Sequence, residues 1–220
     1  MPTKKTIAII GASGNMGSAI AKSLAKGKYR LLLFAHQQEK LQQIINEIKN
    51  SNPYTDVEAV GCPFDASWEA DIIIPAVDYI AEKDVAEKIK DVATQKIIIS
   101  ISNPPNENFN GLLTEKGTSA AEELQRQLPD SKVVKAFNTV FANDFAQPFI
   151  DEKQVDVFIA GEDEDSLQTV SDLVAESGFN PIIAGGLATS RTLENMTALL
   201  VQLNKRYNYN EVSGWKLLHN

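Results

Sequence analysis

Three glycines follow one another at intervals of three residues near the start of the chain, at Gly11, Gly14 and Gly17. They stand between an apolar, β-branched run at 6–10 and a segment with helical spacing that begins at Asn15. A strand, a tight glycine turn and a helix in this order expose backbone N–H groups, which bind the pyrophosphate of a dinucleotide. The alternative is a glycine-rich turn without a ligand. The predicted site consists of Gly11, Ala12, Ser13, Gly14, Asn15, Met16 and Gly17.

The spacing of this segment is GxxGxxG, whereas the usual dinucleotide fingerprint is GxGxxG, and Ala12 stands at that pattern's first glycine. A glycine pattern alone is a weak signal. Here the strand before it and the helix after it supply the structural context that the fingerprint requires. No Gly-Lys-Ser/Thr follows, so a P-loop is not indicated.

The end of the second predicted strand indicates which nucleotide is favoured. NAD-preferring folds place an acidic residue about 20 positions after the glycine loop, where it binds the ribose hydroxyls. Here the strand ends in Ala35 and His36, without Asp or Glu, so a 2′-phosphate meets no repulsion. His36 and Lys40 supply positive charge, although His36 carries it only in part at neutral pH and a solvated loop histidine is the alternative. The segment favours NADP and leaves NAD open.

Polar side chains follow two further predicted strands: Ser102 and Asn103 after the fifth, and Asn138 and Thr139 after the sixth. Ligands bind at the carboxyl ends of parallel strands, where amide and hydroxyl groups hydrogen-bond a carboxamide or the edge of a flavin-like ring. Hydride transfer needs little more from the protein, because the cofactor supplies the chemistry. We assign Asn138 and Thr139 a positioning role; the alternative is that they cap the next helix.

Arg191 falls in the first turn of the last predicted helix, where the helix dipole disfavours a cation. One explanation is a specific anionic partner. The other, which we favour, is a salt bridge to Glu194, three residues later on the same helix.

Strands and helices alternate along the chain. Predicted strands occupy residues 6–10, 30–35, 57–60, 71–74, 97–101, 133–136, 155–160 and 180–184, and predicted helices occupy 15–26, 38–49, 82–92, 119–127, 163–177 and 190–207. The stretch 103–111 is the most loop-like. The alternation predicts an α/β fold, a doubly wound Rossmann-type parallel sheet with a helical C-terminal extension. We divide it into a dinucleotide-binding core at 1–136 and a smaller α/β part at 137–220, which completes the substrate cleft within one compact unit.

The net charge of −8 argues against nucleic acid or a membrane surface as a partner. No apolar run approaches the ~20 residues of a membrane span, and the N-terminal run is too short for a signal peptide. Cys62 is the only cysteine and the two histidines are far apart, so we expect neither a disulfide nor a metal site. These features predict a cytoplasmic protein. In the last helix, Met196, Leu199, Leu200 and Leu203 are compatible with a homodimer or with packing on its own sheet.

Four segments, in order along the chain, match the motifs of one protein family. GASGNMG at 11–17 is similar to a GGTGNLG-type loop, and SKVVKAFNT at 131–139 resembles the sixth strand and the turn after it. DVFIAGEDED at 156–165 and IAGGLATSRTLE at 183–194 resemble two further segments of the family. On these residues, the chain resembles the NADP-dependent oxidoreductases related to the deazaflavin-coenzyme:NADP reductases, whose fold also occurs in the cytosolic domains of the STEAP metalloreductases.

The resemblance implies hydride transfer between NADPH and a second, flat redox partner, such as a flavin-like coenzyme. It implies a pyrophosphate site at 11–17, a family lysine at Lys40 and a loop proline beside the cofactor at Pro75, for which an ordinary turn proline is the alternative. The family's Ser-Arg pair at the 2′-phosphate falls on Ala35 and His36, which is a departure. A histidine that is frequent after the sixth strand is replaced by Asn138, which is a second departure.

The sequence therefore predicts an NAD(P)H-dependent oxidoreductase that transfers a hydride between a nicotinamide cofactor and a flavin-like or small organic acceptor. The alternative is a non-catalytic NAD(P)-binding module that senses redox state. Family segments in the second half of the chain favour the enzyme, because a sensor needs no substrate cleft. The departures at His36 and Asn138 favour the sensor or an altered acceptor.

Overall fold

The structure, a computed structural model, describes residues 4–106 and 112–218, so the predicted loop at 103–111 lies partly outside the described residues. Within these ranges the main sheet contains eight strands: β1 (Thr6–Ile10), β2 (Arg30–Phe34), β3 (Asp56–Ala59), β4 (Ile72–Pro75), β5 (Ile97–Ser100), β6 (Lys132–Lys135), β9 (Asp156–Gly161) and β10 (Asn180–Gly185). Two short strands, β7 (Phe149–Ile150) and β8 (Lys153–Gln154), form a separate hairpin. The helices are α1 (Asn15–Leu24), α2 (Gln38–Ser51), α3 (Pro63–Glu69), α4 (Tyr79–Ile89), α5 (Ala120–Gln127), α6 (Glu164–Glu176) and α7 (Ser190–Tyr207).

The strands of the main sheet lie in the order β10-β9-β6-β5-β4-β1-β2-β3. From β3 to β6 all neighbours are parallel, and this half has the 3-2-1-4-5-6 order of dinucleotide-binding folds. The order reverses between β1 and β4, and ligands bind in the crevice that such a reversal opens at the carboxyl ends of the strands. The predicted doubly wound α/β fold is confirmed.

One strand pairing differs from the fully parallel sheet that the sequence predicted. Strand β9 runs antiparallel to β6, with Val134 opposite Gly161 and Lys135 opposite Ala160. The connection at 136–155 contains the β7–β8 hairpin and no α-helix, whereas parallel neighbours are usually joined by a helical crossover. Strand β10 then returns parallel to β9 through helix α6.

Helices cover both faces of the sheet, because its central strands are apolar on both faces. In β1, Ile7 and Ile9 belong to one core cluster and Ala8 and Ile10 to the other, and all four are buried. Helices α1, α2 and α6 pack on the first face, and α3, α4 and α5 pack on the second. Their apolar faces hold them in place, since helices this short are marginal in water by themselves.

Most predicted elements agree with the structure within a few residues, and β1 and α7 begin and end where the sequence placed them. Helix α3 is absent from the sequence prediction because its seven residues are too few to display a helical period. Local chemistry starts it: Cys62 is the N-cap and its Sγ accepts a hydrogen bond from Asp65 N at 3.4 Å. Pro63 follows at the first helical position, where no backbone donor is needed.

The C-terminal segment returns from α7 to the sheet. Asn208 ends the helix in a left-handed conformation, with a φ of 56°. Trp215 then pairs with Asp156 at the start of β9, and Lys216 Nζ lies 2.7 Å from Asp156 Oδ1. Helix α7 buries Leu193 and Ala198 against the sheet side and leaves Leu199 46% exposed. Over 4–106 and 112–218, no helix is both long and apolar enough to cross a membrane.

Candidate functional site

The glycine loop connects β1 to α1 at the point where the strand order reverses. Gly11 N and Ala12 N both donate to Phe34 O, at 2.8 and 3.0 Å, and so anchor the loop to the end of β2. Gly14 is the N-cap of α1, and in the described chain no side chain caps this helix. The N–H groups of its first turn have no partner within the helix. They form a site that suits an anion such as a diphosphate.

The three glycines of the loop are required for different reasons. Gly11 has a φ of +92°, and a Cβ there would lie 2.2 Å from Ala76 O. A Cβ on Gly17 would lie 2.4 Å from Gly11 O, because α1 starts close to the end of β1. A Cβ on Gly14 would meet Gly11 O at 3.3 Å and Ala76 O at 3.9 Å, which is nearly ordinary contact. The fold thus demands Gly11 and Gly17, whereas the tightest contact at Gly14, 3.3 Å, would yield to a shift of a few tenths of an ångström.

A cleft of about 510 Å³ opens in front of the glycine loop. We call it the cofactor cleft; it is lined by Gly14, Asn15, Met16, residues 76–80 after β4, residues 101–105 after β5, and Leu113. Ser102 and Asn103, which the sequence predicts to bind the cofactor, are part of its wall. Pro75 is the buried last residue of β4, paired with Ile10, and it precedes the 76–80 wall.

His36 and Lys40 follow β2 beside the glycine loop, because β1 and β2 are parallel, with Ile10 opposite Phe34. Both side chains are exposed. The His36 ring stands edge-on to Phe34, with 5.3 Å between the ring centroids. Both residues lie at the sheet edge where a 2′-phosphate binds in this fold.

Side chains from β5, β6 and α7 meet at the far end of the cofactor cleft. Asn103 Nδ2 donates to Asn138 O at 2.9 Å, and Asn138 Nδ2 donates to Asn103 Oδ1 at 3.0 Å. Thr197 Oγ1 of α7 donates to Asn138 O at 2.8 Å. Phe137, just before, has a φ of 58°, an uncommon conformation that is found mostly where surrounding structure enforces it. Phe141 is the N-cap of the next helical turn, so the prediction that Asn138 or Thr139 caps it is wrong.

Three buried polar atoms of the predicted site have no hydrogen-bond partner among the residues that the structure describes. They are Ser102 Oγ, Asn138 Oδ1 and Thr139 Oγ1. Their residues are 5%, 1% and 0% exposed, respectively. Because buried polar groups are nearly always hydrogen-bonded, a group of such atoms at the strand ends indicates a place for a ligand or for water.

A second cleft, of about 280 Å³, lies on the α7 side of Asn138. We call it the acceptor cleft; its apolar wall consists of Pro105, Val140, Phe141, Ala142, Ala198, Leu200 and Val201. Both clefts have Asn15, Met16, Asn103 and Pro105 in their lining. Two ligands that filled the clefts would therefore meet above these residues.

A buried ion pair lies behind the acceptor cleft. Lys135 at the end of β6 and Glu194 of α7 are both 0% exposed, with 2.7 Å between Nζ and Oε1. Lys135 Nζ also donates to Ser102 O at 2.5 Å. Glu194 accepts hydrogen bonds from Ala120 N at 3.1 Å and Ala121 N at 3.4 Å. The pair thus ties together β5, β6, the start of α5 and α7, which are the elements around both clefts.

The sequence analysis missed this pair and assigned Glu194 to the wrong partner. Arg191 binds Glu122 of α5 instead, with 2.8 Å between Nε and Oε2. The predicted Arg191–Glu194 salt bridge is wrong because α7 turns Glu194 into the core, whereas Arg191 remains at the surface. The sequence contained a signal for the pair: Lys135 stands in an apolar strand beside Val134, and a buried charge needs a buried partner.

Glu82, in the first turn of α4, is a further buried carboxyl group near this pair, 4% exposed. Burial raises its pKa to about 7; Lys135 opposes the rise, and Glu194 and Glu123 add to it. Burial and a hydrogen bond to Glu123 likewise raise the pKa of the Tyr79 hydroxyl. The Glu82 carboxyl group and the Tyr79 hydroxyl group therefore keep their protons at pH values where ordinary carboxylates are ionised. In the part of the chain that the structure describes, no group of three or more His, Cys, Asp or Glu is arranged for a metal ion.

The comparisons with known proteins agree with this geometry. A family model described as NADP oxidoreductase, coenzyme F420-dependent, matches residues 6–104. The F420-dependent NADP reductase of Methanocaldococcus jannaschii is 30% identical over 209 residues, which cover 91% of this chain and 93% of that protein. The chain belongs to the F420-dependent NADP oxidoreductase family. Membership confirms the resemblance that the sequence motifs indicated, the predicted class of enzyme, an NADP-dependent oxidoreductase, and NADP as its nicotinamide cofactor.

Two further relatives of this NADP oxidoreductase bear on its fold. Rat metalloreductase STEAP3 is 33% identical over 107 residues, which cover 48% of this chain and 21% of that protein. A crystal structure of a provisionally named F420-dependent NADP reductase from Arthrobacter sp. FB24 has a TM-score of 0.82 at 21% identity, over 97% of this chain and 99% of that one. The second match shows that the fold extends over nearly the whole chain, including the C-terminal helix.

Proposed function

We propose that this oxidoreductase transfers a hydride between NADPH in the cofactor cleft and a flavin-like or small organic acceptor in the acceptor cleft. The observation that carries the proposal is the shared lining of the two clefts by Asn15, Met16, Asn103 and Pro105. Hydride transfer requires the two reacting carbons at contact distance, and adjoining clefts supply that arrangement. When bound, NADPH would supply the hydride and leave as NADP⁺, and the residues around the two clefts would hold its nicotinamide against the acceptor.

The roles of the predicted residues follow from their positions. The pyrophosphate lies along residues 11–17 and binds the backbone N–H groups of the first turn of α1, since Gly11 N and Ala12 N already donate to Phe34 O. His36 and Lys40 bind the 2′-phosphate at the end of β2. Ser102 and Asn103 contact the nicotinamide end of the cofactor, and Asn138 and Thr139 position the ligand beyond it.

The chain's own contribution is to bind, to orient and to exclude water. The turn after β6 and helix α7 give the acceptor cleft an apolar wall, as in Val140, Phe141 and Leu200. An apolar wall keeps water away from the transferring hydride and orients a flat ring by contact area. The network of Asn103, Asn138 and Thr197 holds this wall against the strand ends.

The acceptor is tested with purified protein, NADPH and a panel of flavins, a deazaflavin and simple quinones. The relatives named F420-dependent NADP reductases make a deazaflavin a necessary member of the panel. We expect oxidation of NADPH, followed at the nicotinamide absorbance band, with at least one flavin-type acceptor. NADPH binding without oxidation across the panel would contradict catalysis and support the redox-sensing module instead.

Three sequence predictions remain proposals about the whole protein. The division at residue 136 predicts that the C-terminal part completes the acceptor cleft, and Thr197 and Leu200 in its wall support that role. A homodimer through α7 is supported by the exposed Leu199, and sedimentation would measure it. The cytoplasmic location rests on the single cysteine and on the lack of an apolar run that approaches the ~20 residues of a membrane span, and the lack of nucleic-acid or membrane partners rests on the acidic charge.

A further inference from the structure

The wall of the cofactor cleft at 101–105 lies beyond the end of its strand. Strand β5 ends at Ser100, and residues 101–104 in the described chain belong to no strand. Pro104 and Pro105 also have no backbone N–H to donate. Contacts outside the sheet ladder must therefore help to fix the position of this wall.

One such contact is made by the buried side chain of Lys135. Its Nζ donates to Ser102 O at 2.5 Å, and the two residues are 0% and 5% exposed. A lysine ammonium group has three donors, and here it faces three acceptors. Besides Ser102 O they are Glu194 Oε1 at 2.7 Å and, more distant, Ser100 Oγ at 3.5 Å. The direction of the ammonium group is thereby fixed.

Glu194 holds this ammonium group in place. Its carboxylate accepts hydrogen bonds from Ala120 N at 3.1 Å and Ala121 N at 3.4 Å, in the first turn of α5. These donors have no partner within the helix, and the helix dipole favours a carboxylate there. A chain of buried contacts therefore runs from α5 through Glu194 and Lys135 to Ser102 O, so that two helices help to position the cleft wall.

Stability alone does not account for this ion pair. Apolar side chains of similar volume in place of a buried ion pair often leave a protein equally or more stable. They have no N–H group, however, and Ser102 O would then lose the donor that Lys135 supplies. A buried carbonyl without its donor turns towards another donor or towards water, and the backbone moves with it. The specific contribution of the lysine is therefore the position of Ser102.

We propose that Lys135 is a positioning residue for the nicotinamide half of the cofactor, because its ammonium group fixes the Ser102 carbonyl and with it the wall at 101–105. The inference rests on the proposed function, which places the nicotinamide end against this wall. Lys135 lines neither cleft in the described chain, so it acts through the backbone without touching the cofactor. The adenosine half, which we place at the end of β2, does not depend on it.

The first experiment separates the two halves of the cofactor. NADP⁺ and adenosine 2′,5′-bisphosphate, which has no nicotinamide, are titrated into the full chain by calorimetry. The variant is Lys135→Met with Glu194→Gln, since the two changes together leave no buried charge unpaired. We expect its NADP⁺ affinity to fall by about fivefold or more and its bisphosphate affinity to stay within about twofold. Lys132→Met, which breaks the pair with Asp163 on the same strand, should keep both affinities.

Two outcomes of these titrations would overturn the inference. One is an equal loss of both ligands, which a general loosening of the fold produces. The other is an unchanged NADP⁺ affinity in the double variant. Absence of NADP⁺ binding to the unaltered protein would contradict the proposed function and the inference with it. A selective loss of NADP⁺ affinity, together with no NADPH oxidation by the unaltered protein, supports the inference and contradicts turnover.

The contact with Ser102 is followed without a ligand, through its carbonyl signal in nuclear magnetic resonance. A chain with ¹³C in serine carbonyls and ¹⁵N in asparagine gives two carbonyl signals, because Ser-Asn occurs at 51–52 and 102–103. We expect the Ser102 signal to move upfield in the double variant, since its carbonyl loses a donor, and the Ser51 signal to stay. An unmoved Ser102 signal would show that Lys135 does not hold this carbonyl.

The unaltered protein supplies a measurement that does not depend on whether the variant folds. NADP⁺ should move the Ser102 signal, because the nicotinamide half lies against that wall, and adenosine 2′,5′-bisphosphate should leave it in place. The signal of Ser51, the last residue of α2, should respond to neither ligand. A Ser102 signal that both ligands move equally, or that neither moves, would overturn the inference.

Discussion

The cofactor side and the acceptor side of the site are built in different ways. On the cofactor side, the loop 11–14 and the first turn of α1 are continuous in sequence, and the turn presents backbone N–H groups. On the acceptor side, Asn103 and Asn138 are 35 residues apart in sequence and Asn138 and Thr197 are 59 apart, and they meet through side chains. Behind them, Lys135 and Glu194 join two of the same elements.

The difference shows which half of the site can vary. A backbone site tolerates changes of side chain as long as the turn and the helix start are kept, as GASGNMG in place of the GxGxxG pattern illustrates. A side-chain network depends on every member, because each change leaves a buried group without its partner. We therefore expect cofactor binding to be robust and acceptor choice to be sensitive to single substitutions.

The largest effect is expected from the buried pair on the acceptor side. Lys135→Met leaves Glu194 buried without its cation, and the free energy of unfolding should fall by about 3–5 kcal/mol. Urea unfolding measures it. The control is Lys132→Met on the same strand, where the half-buried pair with Asp163 spans 3.1 Å and should contribute much less. Equal losses in the two variants would show that the buried pair is no more than an ordinary surface contact.

The next effect separates the ligand from the fold on the cofactor side. Gly14→Asp puts a carboxylate at the start of α1, where we propose that the pyrophosphate binds, and NADPH affinity should fall by about two to three orders of magnitude. The variant should still fold, because a shift of a few tenths of an ångström relieves the 3.3 Å contact between a Cβ at Gly14 and Gly11 O, and Asp is a favoured N-cap. NADPH fluorescence and thermal unfolding measure the two properties.

Gly17→Ala tests the fold instead of the ligand. Its Cβ would meet Gly11 O at 2.4 Å, so this variant should have a lower unfolding temperature. If Gly14→Asp retained its NADPH affinity, the pyrophosphate would not bind at this turn.

A smaller effect is expected from Glu82, whose folded-state pKa is about 7 against an ordinary value of 4.5. Between these pH values the folded state holds a proton that the unfolded state has lost, so stability declines as the pH rises through this window. The difference in unfolding free energy between the unaltered protein and Glu82→Gln should fall by on the order of 2–3 kcal/mol from pH 4.5 to 8.

Burial also raises the pKa of Asp144 to about 6, so Asp144 changes stability with pH in the same direction. Both proteins carry Asp144, and the difference between them therefore removes its contribution. Parallel pH profiles of the two proteins would mean that Glu82 titrates normally.

The smallest effect is expected at the surface of the acceptor side. Arg191→Ala breaks the pair with Glu122, in which Arg191 is 47% exposed, and should lower the unfolding free energy far less than Lys135→Met. The change should shrink further in 1 M salt, because exposed pairs are screened. A loss as large as that of Lys135→Met would erase the distinction between the two pairs of this region.

Much of the fold was readable from the sequence because its signals are local. The apolar run of β1, the helical period of α7 and the glycine turn are contained in short windows, and their bounds agree with the structure. The sequence did not reveal the antiparallel β9, because strand direction depends on the route of the connection and not on the strand's own residues. The seven residues of α3 carry too short a pattern.

The site divides in the same way. The sequence by itself determined the glycine loop, the polar residues after β5 and β6 and the membership of the family, because each is a matter of residue type and spacing. Only the tertiary structure decided that Glu194 binds Lys135 and not Arg191, and that Asn138 keeps one acceptor free. Partners that are many residues apart are chosen by packing, which no short window of the sequence contains.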